Sequence, residues 1–220
     1  VELEPMRPKK AVVLSGKRTE PAYSVQIQIV QHPNDYEIKR NYSVHRLPYD
    51  GLGEIVCLTT FGGRCPICDV VKLDGEPIAR WNIASKKLVM FYGINLSDQF
   101  IKDQVVVEKG ELILWIMIAN DFKFIDQVIN QRRLAAHRFN SYIFDVTINP
   151  GANFAKREQR CSFNFASETS LDPTNIFNEE TPPLGRLFYS PKHPTENELE
   201  QVVKAYCQIP MRAERAGVQP

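Results

Sequence analysis

The residues best equipped for chemistry lie close together. Of five cysteines, Cys57, Cys65 and Cys68 fall within one short stretch, whereas Cys161 and Cys207 stand apart. Cys65-Pro66-Ile67-Cys68 is a C-x-x-C knuckle, with Cys57 eight residues before it and His45 twelve residues before Cys57. Two thiolates at knuckle spacing reach one tetrahedral ion while the turn between them offers N–H groups to sulfur. A bare C-x-x-C also serves redox chemistry. A third cysteine and a histidine within reach turn the reading toward metal. A hairpin would bring one imidazole and three thiolates to a point, a donor set that suits zinc. Four protein ligands leave no position for an activated water, so the single Zn2+ is expected to be structural. His32 is the alternative imidazole. Cys161 and Cys207 are expected to be small buried apolar residues.

A second pattern is cationic. Arg132, Arg133, Arg138, Lys156, Arg157 and Arg160 crowd one stretch against only Asp145 and Glu158. Lys86-Lys87 lies near Trp81, and Lys39-Arg40 lies beside Tyr36 and Tyr42. The whole chain is nearly neutral, +1 from 27 basic and 26 acidic residues, so polyanion binding has to come from local clustering. Cations interleaved with aromatics suit a single-stranded nucleic acid, because cations follow phosphates and rings stack on unpaired bases. No G-x-S-x-G, P-loop or H-E-x-x-H motif is present, and the chain is expected not to be an enzyme.

The elements that must position these residues are mostly strands. Val25–Val30 alternates at strand period, Tyr36–Leu47 alternates again, and Gly53–Thr60 follows a Pro-Tyr-Asp-Gly turn. Leu88–Ile94 and Glu111–Ala119 read as buried strands, with Ser97–Lys109 as the connection. Phe122, Ile125, Val128, Ile129 and Leu134 then recur at helical spacing, predicting a helix capped by Asn120 or Asp121 and ending near Asn140. Tyr142–Ile148 and Arg157–Phe165 are strand-like. Asp172–Pro194 is proline-rich, and Thr195–Cys207 predicts a helix whose Thr195 and Glu198 form a capping box. With 220 residues, 43% hydrophobic and 24% charged, the chain can bury a core without disulfides. Short strands at this spacing suggest a small barrel or sandwich with insertions. No apolar run is long enough to cross a membrane as a helix, and charges at Glu2, Glu4, Lys9 and Lys10 interrupt any leader-like segment, so neither membrane association nor secretion is expected.

The order of these features resembles a known family. His45, Cys57 and the Cys65-Pro66-Ile67-Cys68 knuckle are followed by Trp81, Lys86-Lys87, Asp145-Val146-Thr147 and Gly151-Ala152-Asn153-Phe154. In this order they are similar to the core of the T-even-type bacteriophage single-stranded DNA-binding, helix-destabilising proteins, over roughly residues 25–177. The resemblance implies a mainly β fold, an OB-fold-like five-stranded barrel with an inserted zinc-binding subdomain. The chain as a whole is then expected to divide into an N-terminal arm at 1–22, read from its prolines and basic pairs and not matched to the family, a core at 23–177 with the zinc subdomain at about 36–80, and a Pro-rich segment and C-terminal helix packed on the core at 178–220, which diverge from the family. His45, Cys57, Cys65 and Cys68 match the family's zinc ligands. Phe163 and Phe165 fall where the family has base-stacking aromatics, with Lys156, Arg157 and Arg160 as phosphate contacts on the same strand. Trp81, Lys86 and Lys87 fall near another stretch of the cleft, and Arg132 and Arg133 join the basic set. Trp115 sits near a cleft tyrosine of the family, but its apolar strand points to the core. The implied function is sequence-nonspecific binding of single-stranded DNA in phage replication, recombination and repair, in the cytoplasm of an infected bacterium. Replication and recombination proteins are the implied partners, with no small-molecule substrate. Two other classes compete with this one: a zinc-dependent nuclease or other nucleic-acid enzyme, and a zinc-knuckle protein-interaction module.

Overall fold

A computed structural model describes residues 10–16, 19–47, 53–73, 85–152, 159–170, 173–187, 195, 197 and 199–201. The fold is mainly β, with a large mixed sheet and few helices. The chain divides into two compact units, Val1–Asn41 with Leu88–Phe188 and Tyr42–Lys87 with Tyr189–Pro220.

The first unit is a sheet. Its strands are β1 (Ala11–Val13), β2 (Tyr23–Val30), β5 (Lys86–Asn95, whose first two residues fall in the second unit), β8 (Leu112–Ile118), β9 (Tyr142–Ile148) and β10 (Cys161–Glu168), in the order β1-β8-β5-β2-β9-β10. The neighbours are antiparallel except β1 and β8, which run parallel with Val12 opposite Trp115. The alternation in β9 puts Tyr142, Phe144, Val146 and Ile148 inward and leaves the residues between them half-exposed. β5 is buried on both faces from Leu88 to Asn95, as its continuous apolar run requires. One face's core is built on Ile27, Phe91, Trp115, Phe122, Phe144 and Phe163, and Met90, Leu114 and Ile116 are buried outside that cluster. Gly93 lets β5 approach its neighbours. A Cβ there would lie 2.5 Å from Ile27 Cγ2 and 3.0 Å from Trp115 Cδ1, and the Trp115 indole donates to the Gly93 carbonyl at 3.0 Å.

The connection expected at Ser97–Lys109 contains a hairpin, β6 (Phe100–Lys102) with β7 (Val105–Val107). Asp103 and Gln104 both take positive φ, 49° and 69°, which matches the twist of a tight two-residue hairpin turn. Phe100 stacks on Trp115, and Lys102 reaches Glu20 at 3.1 Å and lies over the Tyr23 ring, so one face of the hairpin is fastened.

Helix α2 (Ala119–Arg132) starts and ends earlier than its periodicity predicts. Ile118 is the N-cap, so Asn120 and Asp121 lie inside the helix. Arg133 takes the left-handed conformation at φ 54°, and its N–H returns to Asn130 and Ile129. Beyond it, Tyr142 Oη accepts the Ala135 N–H at 2.8 Å and donates to the Ala135 carbonyl, and residues Ala136–Ser141 form a separate 3-10 turn. The apolar spacing carries on across this break because Phe139 also packs on the core.

In the second unit, β3 (Arg40–Leu47) and β4 (Gly53–Val56) form an antiparallel hairpin with His45 opposite Ile55. The alternation from Tyr36 does not become strand until Arg40, because residues 31–39 are turned by side-chain bonds described below. A 3-10 turn (Leu58–Phe61) and helix α1 (Pro66–Leu73) follow. Of the expected C-terminal helix, residues 197 and 199–201 are helical, with the Leu199 N–H returning to Thr195 at 3.1 Å; its remainder and the capping Glu198 lie outside the described residues. No helix among the described residues is long and apolar enough to cross a membrane.

Candidate metal centre

Three short elements deliver four donors. His45 projects from β3. Cys57 follows β4 directly, and its N–H bonds the Ser43 carbonyl of the facing strand at 2.8 Å, which pins it beside β3, two residues from the histidine's cross-strand partner Ile55. The 3-10 turn then reverses the chain through Gly62, whose φ of 79° is a conformation glycine adopts without strain. Cys65 is the residue before α1, with Pro66 at the first helical position where its missing N–H costs nothing. The Asp69 N–H bonds the Cys65 carbonyl, and the Cys68 N–H donates to the Cys65 sulfur. That backbone bond to sulfur at the start of the helix works to lower the Cys65 thiol, against the stronger effects described below.

The donor atoms of His45, Cys57, Cys65 and Cys68 all lie within 4.8 Å of one another. Cys57 Sγ is 3.5 Å from Cys68 Sγ, and His45 Nε2 is 3.3 Å from Cys65 Sγ and 3.5 Å from Cys68 Sγ. Tetrahedral zinc bonds of about 2.3 Å to sulfur and about 2.0–2.1 Å to nitrogen would set such edges at about 3.5–3.8 Å. The four residues fit one metal ion. His45, Cys57 and Cys65 are buried and Cys68 is half-buried, packed with Ile55, Ile67 and Leu199.

Protonation points the same way. The Cys57 thiol is held well below the ordinary range, first by a hydrogen bond from Cys65 and then by bonds involving His45 and Thr59. Cys65 is pushed up by holding that shared proton toward Cys57, and by burial. A cation among the donors replaces the shared proton and lets every sulfur be thiolate. Thr59 Oγ1 lies 3.0 Å from Cys57 Sγ, a supporting contact outside the ligand set. Its signal in the sequence was a hydroxyl two residues after a ligand.

The other expected site residues are placed less uniformly. Lys86 and Lys87 are exposed at the start of β5, and Arg132 and Arg133 are exposed at the end of α2. Trp81, Lys156 and Arg157 lie outside the described residues. Arg160 donates to Asp121 through Nε at 3.2 Å and through Nη2 at 2.6 Å, so its guanidinium is committed within the protein. The expectation of a base-stacking Phe163 is corrected. The pairing of β10 with β9 turns Phe163 inward, where it is 3% exposed and edge-on to Phe122. Phe165 is half-buried, edge-on to Tyr142 and against the same core. His32 belongs to another cluster: its Nδ1 accepts the Asn34 N–H and its Nε2 faces the Thr181 carbonyl, each at 3.1 Å.

Neither a scan against protein-family models nor a search of curated proteins finds a match to the chain.

Proposed function

We propose that this protein binds single-stranded DNA without sequence preference, as a non-catalytic, zinc-stabilised member of the T-even-type phage helix-destabilising proteins. The observation that carries the reading is the three-sulfur, one-nitrogen cluster, in the family's ligand order, inserted in the chain between β2 and β5. The topology supports it. An antiparallel β2-β5-β8 meander, a helix after β8, then β9 beside β2 and β10 beside β9, is the strand order of an OB-fold barrel. Among the described residues, the outer edge of β8 is paired with β1 instead of β10.

Zinc, when bound, supplies a structural crosslink. His45, Cys57, Cys65 and Cys68 would hold it and leave no coordination position for substrate. This chain's own groups do the binding. Lys86, Lys87, Arg132 and Arg133 present cations to phosphates, and rings stack on unpaired bases, so single strands are preferred over duplex. The setting is the cytoplasm of an infected bacterium, with replication, recombination and repair proteins as partners.

The test is anisotropy of a labelled oligo(dT) titrated with the zinc-loaded chain, at low and high salt, with an equal-length duplex as control. Tight binding to the single strand, weakening by about 0.7 log unit per phosphate contact for each log unit of salt, is the expected result. No binding at low salt would sink the reading. It would leave the zinc-knuckle interaction module, which one observation favours: Ile101 and Val106 face each other across β6 and β7, and both are exposed.

A further inference from the structure

If the protein stacks bases, the two phenylalanines expected to do so are badly placed for it. Phe163 is core and Phe165 leans on the core. A different ring is open. Tyr36 is fully exposed, and it is the one aromatic among the exposed large hydrophobic residues of the described structure. A single surface tyrosine is ordinary. What sets Tyr36 apart is how firmly its loop is held.

The turn from 31 to 40 is fastened on both sides of Tyr36, by bonds at Gln31, His32, Asp35 and Arg40, and Ile38 packs against the core. The Gln31 N–H donates to Asn140 Oδ1 at 2.9 Å, and its side-chain amide donates to the Asp35 carbonyl at 2.6 Å. The Asp35 N–H bonds the His32 carbonyl, while buried His32 packs edge-on against Phe177. The Asp35 carboxylate accepts the Leu184 N–H at 2.8 Å, and the Arg40 guanidinium donates to the carbonyls of Leu184, Gly185 and Leu187. The loop spends all these polar groups on its own shape and leaves the phenol ring in water. An aromatic held out on an ordered loop binds a planar ligand with little further loss of backbone entropy.

Cations stand on the same loop and on α2, interspersed with the exposed carboxylates of Glu37 and Asp126. Lys39, three residues after Tyr36, lies 3.8 Å from the Asp126 carboxylate of α2 and 4.7 Å from the Phe122 ring centroid. Asp126 is exposed and Lys39 half-buried, and an ion pair of that length is weakly held. Lys123, one turn before Asp126 on α2, is exposed, as are Arg132 and Arg133 at its end. The Lys39–Asp126 contact thus puts the Tyr36 loop beside α2, a helix with two acidic and two basic residues whose cations at its end are Arg132 and the following Arg133, within the same unit.

We infer that Tyr36 is a nucleobase-stacking residue, with Lys39 beside it as a phosphate contact. The inference rests on the single-strand reading above and names a ring that reading did not include. The phenol stacks on an unpaired base, and duplex, whose bases are already stacked, does not engage it.

The experiment compares the full zinc-loaded chain with Tyr36→Phe, Tyr36→Ala and Lys39→Ala in oligo(dT) anisotropy over a range of salt, with thermal melts in parallel. Tyr36→Phe should bind as wild type does. Tyr36→Ala should bind about 5- to 150-fold more weakly, the range of one lost stack, with an unchanged salt slope and an unchanged Tm. Lys39→Ala should lower the salt slope by about 0.7. Wild-type binding with Tyr36→Ala equally tight overturns the inference and leaves the single-strand reading standing. A lower Tm in Tyr36→Ala, with affinity restored on cooling, would overturn it in favour of a structural role. No binding by wild type overturns both.

Discussion

The two units solve the problem of holding together in different ways. Among the described residues, the sheet unit buries a cluster of twenty apolar residues, whereas the metal-centre unit buries eight, Tyr42, Val44 and Val56 together with a cluster of five that includes the ligands Cys57 and Cys65. Removing apolar surface from water stabilises by about 25 cal/mol per Å2, so the smaller set contributes much less than the larger. Short elements with so little to bury need a staple. A metal held by the four donors would do in a few dozen residues what an entire sheet does by packing.

The comparison can be broken most forcefully by taking the metal away. Chelation, or Cys65→Ser, should unfold the stretch around His45–Asp69, since structural zinc supplies about 10–16 kcal/mol in small domains. Circular dichroism should show most of the strand signal surviving. The matching blow to the sheet is smaller. Trp115→Ala empties a site with no exposure and should cost about 3–5 kcal/mol in denaturant melts, without lowering metal content. Gly93→Ala pushes a methyl toward Ile27 and Trp115 and should cost about 1–3 kcal/mol on the same measurement.

pH sharpens the contrast further. Burial pushes the Tyr23 and Tyr92 phenols above the ordinary range and the Cys161 thiol up to about 12. In each case the folded state keeps its proton longer than the unfolded state. Their stabilisation is complete below the unfolded thiol range, near pH 9, and is lost as pH rises toward those folded values. All three groups belong to the sheet unit. Metal ligands must be deprotonated to bind, so the other unit should fail from the acid side instead. Melts with a tryptophan signal and a metal-release dye, run across pH, should separate the two.

Much of this was legible in the residues. The ligand set could be read because metal chemistry restricts both residue type and spacing. β2, β5, β8 and β9 could be read because strand burial leaves a period of two or an unbroken apolar run. The end of α2 could not. Its apolar spacing continues past Arg133, and only the left-handed turn and the Tyr142 hydroxyl, brought in from β9, stop the helix. The hairpin β6–β7 was hidden because Asp103-Gln104 lacks the glycine that usually marks such a turn. Phe163 was misplaced because an aromatic on a strand reads the same whether it faces core or cleft; the register with β9 decides. Tyr36 stands out beside Lys39-Arg40 in the sequence, but nothing there separates it from Tyr42, which is buried. The exposure of Tyr36 depends on bonds from Asn140 and Leu184, more than a hundred residues away.

The division of labour between burial and metal is tested most directly by hydrogen–deuterium exchange of the zinc-loaded chain, read by peptide before and after chelation. The account predicts lost protection in peptides covering His45–Asp69, with β2, β5, β8 and β9 unchanged. Equal loss across both units, or no change at His45–Asp69, would contradict it.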